Sequence, residues 1–269
     1  MMTCAHPLCS SIVRKGIVGL TGALLIMFVL GHMTGNLLIF LPPEAINSYA
    51  EFLHEAGHGA LIWLSRLGLL TIFAVHIGLT ISLKYENKLA RPIAYAAHQP
   101  QTSSWVSRHM LLSGLVVFLF VVYHLLHFTA GVTDHSADYR RPIGGPGRPH
   151  LLDVHSMVVE GFQNPYIACF YIVCQIVLGM HLWHGGSSLF QSLGINRGIW
   201  RRITAWAGPV VAVVVVVGNC SIPIAIQTGL IQSKTDIEMK KAEIDTRNGN
   251  LPRLWSPANG GTASASQPH

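Results

Sequence analysis

Charge is the scarcest commodity in this chain. Asp, Glu, Lys and Arg together make up 11% of its 269 residues, where a soluble domain carries roughly 25%. A surface so poor in charge excludes an ordinary soluble globule. Also missing is a Gly-x-Gly-x-x-Gly fingerprint, so the chain brings no dinucleotide fold of its own. It has neither the Cys-x-x-Cys-His pattern of covalent haem attachment nor a cysteine cluster suited to an iron–sulfur centre. Its five cysteines, Cys4, Cys9, Cys169, Cys174 and Cys220, imply no disulfide framework, and the last three fall in apolar runs. Cys4 and Cys9 are read as ordinary residues of a flexible N-terminus rather than as metal ligands.

What the chain does have is long hydrophobic runs. Half of its residues are hydrophobic, and the few charges cluster between segments long enough to cross about 30 Å of hydrocarbon. Five spans are expected at 17–41, 61–83, 110–132, 166–190 and 203–231, giving an all-α membrane protein with a domain over 1–231. Residues 232–269 form a polar tail, with a short surface helix expected at 237–244 and disorder after Pro257. The first apolar run is too long for a cleavable signal and continues into a polar loop, so it reads as a span. The longest connection, 133–165, carries Pro142, Gly144, Gly145, Pro146, Gly147 and Pro149. It reads as an extramembrane loop, ordered by its own turns or by partners.

The formal net charge is +6, but the cations sit at span ends rather than in a stripe interleaved with aromatics, which argues against a nucleic-acid partner. Arg14, Lys15, Lys84, Lys88, Arg91, Arg108, Arg197, Arg201 and Arg202 all fall on one side of the expected topology. The connections on the opposite side carry only Arg140, Arg141 and Arg148; the five basic residues of the tail oppose this weakly, because charges in a long terminal segment count little. By the positive-inside rule the N-terminus is cytoplasmic, and an odd number of spans puts the C-terminus outside.

Within the spans stand four histidines, His32, His76, His124 and His181, one in each of the first four. An ionisable side chain in hydrocarbon is a functional hypothesis by default. Alternating span direction puts His32 and His124 in the outer half, and His76 and His181 in the inner half. The two levels are offset by roughly eight to ten residues, about 12–15 Å along a helix. Paired imidazoles at two depths suit two b-type haems, each held by histidine from both sides within a five-helix bundle. One such histidine alone would read as a hydrogen-bonded core residue; four at matched depths do not.

The spacing leaves His127 open beside His124, and His184 open beside His181, because residues three apart lie on nearly one helix face. His127, His184 and Arg108 are alternatively partners for haem propionates. Gly31, Gly35, Gly78, Gly114 and Gly179 either admit a macrocycle or serve close helix packing. A different chemistry is spelled by His54-Glu55-Ala56-Gly57-His58, which matches the His-Glu-x-x-His zinc metalloprotease motif. Gly57 weakens a helix there, and no third ligand is apparent.

Several stretches together resemble the five-span cytochrome b anchor of succinate:quinone oxidoreductases, the succinate dehydrogenase and fumarate reductase family. They are Gly31-His32-Met33-Thr34-Gly35-Asn36-Leu37, the run from Pro43 to Phe52, and Val122-Tyr123-His124-Leu125-Leu126-His127. To these are added His181-Leu182-Trp183-His184-Gly185, Phe190-Gln191-Ser192-Leu193-Gly194 and Gly218-Asn219-Cys220-Ser221-Ile222-Pro223. The resemblance favours His124 over His127 and His181 over His184 as ligands. It implies two haem b groups here, with FAD and iron–sulfur clusters only in partner subunits: a flavoprotein and an iron–sulfur protein on the cytoplasmic side of a bacterial cytoplasmic membrane. Membrane quinone, menaquinone or ubiquinone, is the implied redox partner, and whole complexes can assemble further. Some members of that family carry a glutamate two residues before the fourth ligand as part of a proton path; here that position is Gly179. Glu51, His54, Glu55 and His58, in the first outer connection, are candidates for proton exchange with quinone. A cytochrome b serving a hydrogenase or formate dehydrogenase fits the paired depths nearly as well.

Overall fold

A computed structural model describes residues 10–90, 105–133, 142–143, 151–195, 197–233, 237, 240, 242–244 and 247. Its helices are α1 (Ser11–Asn36), prolonged by a 3-10 turn at Leu37–Phe40, then α2 (Pro43–Glu55) and α3 (Ala60–Leu89). The single turn α4 (Trp105–Arg108) precedes α5 (Met110–His124), which runs on into a π turn at Leu125–Ala130. After these come α6 (Val154–Gln163), α7 (Pro165–Ser192) and α8 (Trp200–Gln227). The described residues include no strand beyond an isolated bridge between Pro142 and Leu152.

Five segments are long and apolar enough to cross a membrane: Ser11–Phe40, Ala60–Leu89, Met110–Ala130, Pro165–Ser192 and Trp200–Gln227. The chain is an all-helical integral membrane protein, and each expected span is present within a few residues of its sequence bounds. The first starts six residues early and the second ends six residues late. Their polar ends are held together there: Arg14 of α1 makes a two-pronged ion pair with Glu86 of α3, Nη2 to Oε2 at 2.7 Å, and Arg14 also donates to Ser82 Oγ at 3.2 Å.

This pair places the start of α1 beside the end of α3. Gly19 of α1 lies against Ser192 and Leu193 at the end of α7, and Met110 at the start of α5 reaches Gly185 of the same helix. One end of the bundle therefore collects the beginnings of α1 and α5 and the ends of α3 and α7. That is the alternation expected of successive spans.

The connection 133–165 departs from expectation, because it is not merely a loop. Asp153 caps α6 by accepting from Ser156 N at 3.1 Å, and the helix buries His155, Ser156, Met157, Val159, Gly161 and Phe162. Asn47 of α2 laces the two short helices together: its Nδ2 donates to Asp153 Oδ1 at 2.9 Å and its Oδ1 accepts from His155 N at 3.0 Å. At the far end of α6, Gln227 Nε2 donates to the carbonyls of Phe162 (2.6 Å) and Gln163 (3.0 Å), satisfying groups that a helix end leaves unpaired. Asn164 then caps α7 with Pro165 in its first turn. Residues 144–149 of this connection lie outside the described set.

Packing is very uneven. Helices α7 and α8 approach most closely at glycine: a Cβ on Gly186 would stand 2.8 Å from Gly208 Cα, and one on Gly208 would stand 2.1 Å from the Trp183 carbonyl. Pro209 has no N–H to give to Ala205 O, four residues back. Ser187 Oγ of α7 donates to that carbonyl at 2.9 Å and accepts from Gly208 N at 3.2 Å, so the proline is repaired from the neighbouring helix. Around this contact and toward the α6 end lie the buried clusters, built on Val215 and Ala212 and on Ile39, Val159, Phe162 and Tyr171. Helix α3, in contrast, has no buried residue. The chain divides between Ile231 and Gln232, and the second unit has helical backbone at residues 237, 240, 242–244 and 247. The part of the tail expected to be disordered, beyond Pro257, lies outside the described residues.

Gly186→Val drives two methyls into the α8 backbone, an overpacking that costs about 1–3 kcal/mol. Ser187→Ala forfeits hydrogen bonds that average about 0.6 kcal/mol inside membranes. Thermal unfolding in detergent is expected to show Gly186→Val as the more damaging of the two; the reverse order would mean that the hydroxyl, not the glycine contact, holds α8.

Candidate functional site

Helix direction brings the four span histidines together in twos. His32 of α1 and His124 of α5 meet ring to ring, with centroids 5.9 Å apart and planes at 84°. His76 of α3 and His181 of α7 lie within electrostatic range of each other toward the other end of the bundle. Each of these two is fixed by a hydroxyl on a neighbouring helix: Thr21 Oγ1 of α1 is 3.1 Å from His76 Nδ1, and Ser113 Oγ of α5 is 3.1 Å from His181 Nδ1.

The two contacts repeat one design. Thr21 is followed by Gly22, whose Cβ would stand 3.4 Å from His76 Cε1, and Ser113 by Gly114, whose Cβ would stand 3.4 Å from His181 Cε1. Thr21 lies eleven residues before His32, and Ser113 eleven before His124. Eleven residues are close to three helical turns, so α1 and α5 each present a hydroxyl–glycine seat and a histidine on one face, about 16 Å apart. The separation is slightly longer than the offset expected from span positions. Sequence reasoning missed Thr21 and Ser113, although the repeated spacing of hydroxyl, glycine and histidine on alternate spans is visible in the chain.

The adjacent histidines separate from the pairs. His127 is fully buried, with Nδ1 2.9 Å from Tyr171 OH and its ring 4.2 Å from that of Phe128. Its ring and that of His124 both pack on Tyr171 and Phe128, as residues three apart on nearly one face should, and it is His124 whose ring meets His32. The π turn begins directly after His124, at Leu125. His184 is half-buried, one turn beyond His181.

The glycines divide in the same way. Gly35 and Gly179 serve packing: a Cβ on the first would lie 2.6 Å from the Tyr49 ring, and on the second 2.4 Å from Val216 Cγ2. Gly114 seats an imidazole. Gly31 and Gly78, next to or near His32 and His76, would place a Cβ with nothing within 4 Å.

The separation of His32 and His124 suits a bis-imidazole metal centre. Imidazole nitrogens sit about 2 Å from a bound metal, so two rings on opposite sides of one ion have centroids about 6 Å apart, the separation of His32 and His124. Phe28 stacks on His32 at 5.5 Å, and Phe120, Phe128 and Tyr171 surround His124, whose buried Nδ1 has no hydrogen-bond partner.

The zinc-motif residues lie elsewhere and do not share a helix. His54 and Glu55 end α2, and Gly57, His58 and Gly59 follow with φ of 61°, 54° and 85°. The four-residue helical spacing that would bring both imidazoles to one ion is thereby lost. His54 Nδ1 is instead 2.9 Å from the Ala50 carbonyl of its own helix. Arg108 closes α4, directly before α5. Comparison of the chain with protein-family models, with curated proteins and with solved structures gives no match.

Tyr171→Phe strands the His127 imidazole in a fully buried position. Leaving such a group without its partner costs about 1–3 kcal/mol. Lower thermal stability with the His32 and His124 pair intact is the expected result, and an unchanged melting temperature would show that the tyrosine hydroxyl is not His127's essential partner.

Proposed function

We propose that the chain is the membrane-anchor cytochrome b subunit of a succinate:quinone oxidoreductase, a succinate dehydrogenase or fumarate reductase, with two haem b groups. His32 and His124 would hold one, and His76 and His181 the other. The observation that carries this reading is the grouping of four span imidazoles in twos, His32 ring to ring with His124 and His76 within electrostatic range of His181. The resemblance of the histidine-bearing stretches to that family supplies the choice of complex.

When bound, haem supplies a reversible one-electron iron couple. The chain's own part would be to hold each haem with two imidazoles, which favours electron transfer over oxygen binding. Apolar spans and ring walls such as Phe28, Phe120 and Phe128 keep water from the ligands. A flavoprotein and an iron–sulfur subunit dock on the cytoplasmic side in this reading and carry the dicarboxylate chemistry. The anchor connects them with membrane quinone. It catalyses no succinate chemistry by itself.

Haem analysis of the purified protein is expected to give two protohaems per chain. His32→Ala and His124→Ala should remove one and the same haem, and His76→Ala and His181→Ala the other, while His127→Ala and His184→Ala keep both. A preparation without protohaem, or loss in any other pairing, rejects the assignment. Co-purification with flavin and iron–sulfur subunits separates this complex from one built on a hydrogenase or formate dehydrogenase.

Glu51, His54 and Glu55 of α2, with His58 in the turn after it, lie in the connection between α1 and α3, at the His32 end of the bundle. In the proposed complex they exchange protons with quinone. Replacing each by a non-ionisable residue should slow quinone turnover without loss of haem; unchanged quinone kinetics in all four would discard that role.

A further inference from the structure

The hydrogen bonds around the inner pair determine which ring nitrogen carries the proton. Thr21 Oγ1 has a single hydrogen and lies 2.8 Å from Ile17 O and 3.1 Å from Val18 O, both carbonyls of its own helix. Whichever it serves, that hydrogen goes to the backbone, and toward His76 the oxygen has only lone pairs to offer. Ser113 repeats the arrangement: its hydroxyl donates to Met110 O at 3.1 Å and faces His181 Nδ1 at 3.1 Å. With the hydroxyl hydrogen engaged by the backbone, each seat offers an acceptor to Nδ1–H and leaves the lone pair on Nε2.

We propose that Thr21 and Ser113 are the positioning residues of the inner histidine pair. By accepting from Nδ1–H they fix the tautomer in which Nε2 of His76 and of His181 is the metal-binding atom, and they make the inner centre electronically distinct from the outer one. Gly22 and Gly114 flank the ring edges, where a Cβ would make van der Waals contact at 3.4 Å. The outer pair has no equivalent: among the described residues His32 makes no side-chain hydrogen bond, and His124 Nδ1 is buried without a partner. An acceptor on the remote N–H makes an imidazole a stronger donor to metal, which favours oxidised iron and lowers the reduction potential. The proposal rests on the haem reading above.

The test is a redox titration of both haems in the purified complex, monitored by absorbance, for the wild type, Thr21→Val, Ser113→Ala and Thr21→Ser. Thr21→Val and Ser113→Ala are each expected to move the same haem, the one lost in His76→Ala, to a more positive potential while the other haem stays put. Thr21→Ser should return the wild-type value. Shedding of that one haem by either variant, with Thr21→Ser retaining it, supports the same role, because losing such a partner costs about 10–100-fold in metal affinity. Unmoved potentials, a shift of the outer haem, or loss of both haems overturns the proposal while leaving the haem assignment standing. A wild-type complex free of haem overturns the functional reading, and this one with it.

Discussion

An imidazole in hydrocarbon has two ring nitrogens, and water is available to neither. This bundle is organised around that constraint. Four such rings enter the membrane, and the helices are threaded so that His32 meets His124 while His76 and His181 each find a hydroxyl. A fifth, His127, meets the Tyr171 hydroxyl through Nδ1. Leaving a polar group bare in an apolar interior costs several kcal/mol, more than a typical helix–helix hydrogen bond returns in a membrane. The antiparallel order of α1, α3, α5 and α7 is therefore tied to where the rings must go.

The same helices divide the labour of stability. Close packing is concentrated where no span histidine is needed, between α7 and α8, where Gly186 meets Gly208 and Ser187 repairs the break at Pro209. The short helices α2 and α6 add a polar lattice through Asn47 and Asp153. Helix α3, which brings His76, buries nothing and is anchored at its polar end by Arg14 and Glu86. The pair is part-buried, with Glu86 the more open partner, and it fixes register between α1 and α3 and with it the level at which His76 faces Thr21.

Much of this was legible in the chain. Span number and extent follow from hydropathy, and span direction follows from alternation, so the twofold grouping of the four histidines needed no coordinates. The misses have definite causes. Helix α6 was hidden in a connection rich in proline and glycine, because its amphipathic face is short and its cap, Asp153, precedes a stretch containing no long apolar run. His124 and His127 share Tyr171 and Phe128 as neighbours, so spacing alone left open that His124 meets His32 while His127 Nδ1 meets the Tyr171 hydroxyl. Gly35 and Gly114 look alike in sequence, yet one meets a tyrosine ring and the other an imidazole.

Hydrophobic runs and their polar interruptions determined by themselves that this is a five-span helical membrane protein with histidines at two depths, since burial in lipid is a property of each segment taken alone. Which histidine of a close pair faces a partner, which glycine is a seat and which a packing contact, and which hydroxyl holds a ring nitrogen were decided only by the tertiary structure. Those are relations between helices far apart in the chain, and their outcome depends on rotations of a fraction of a turn that no local pattern specifies.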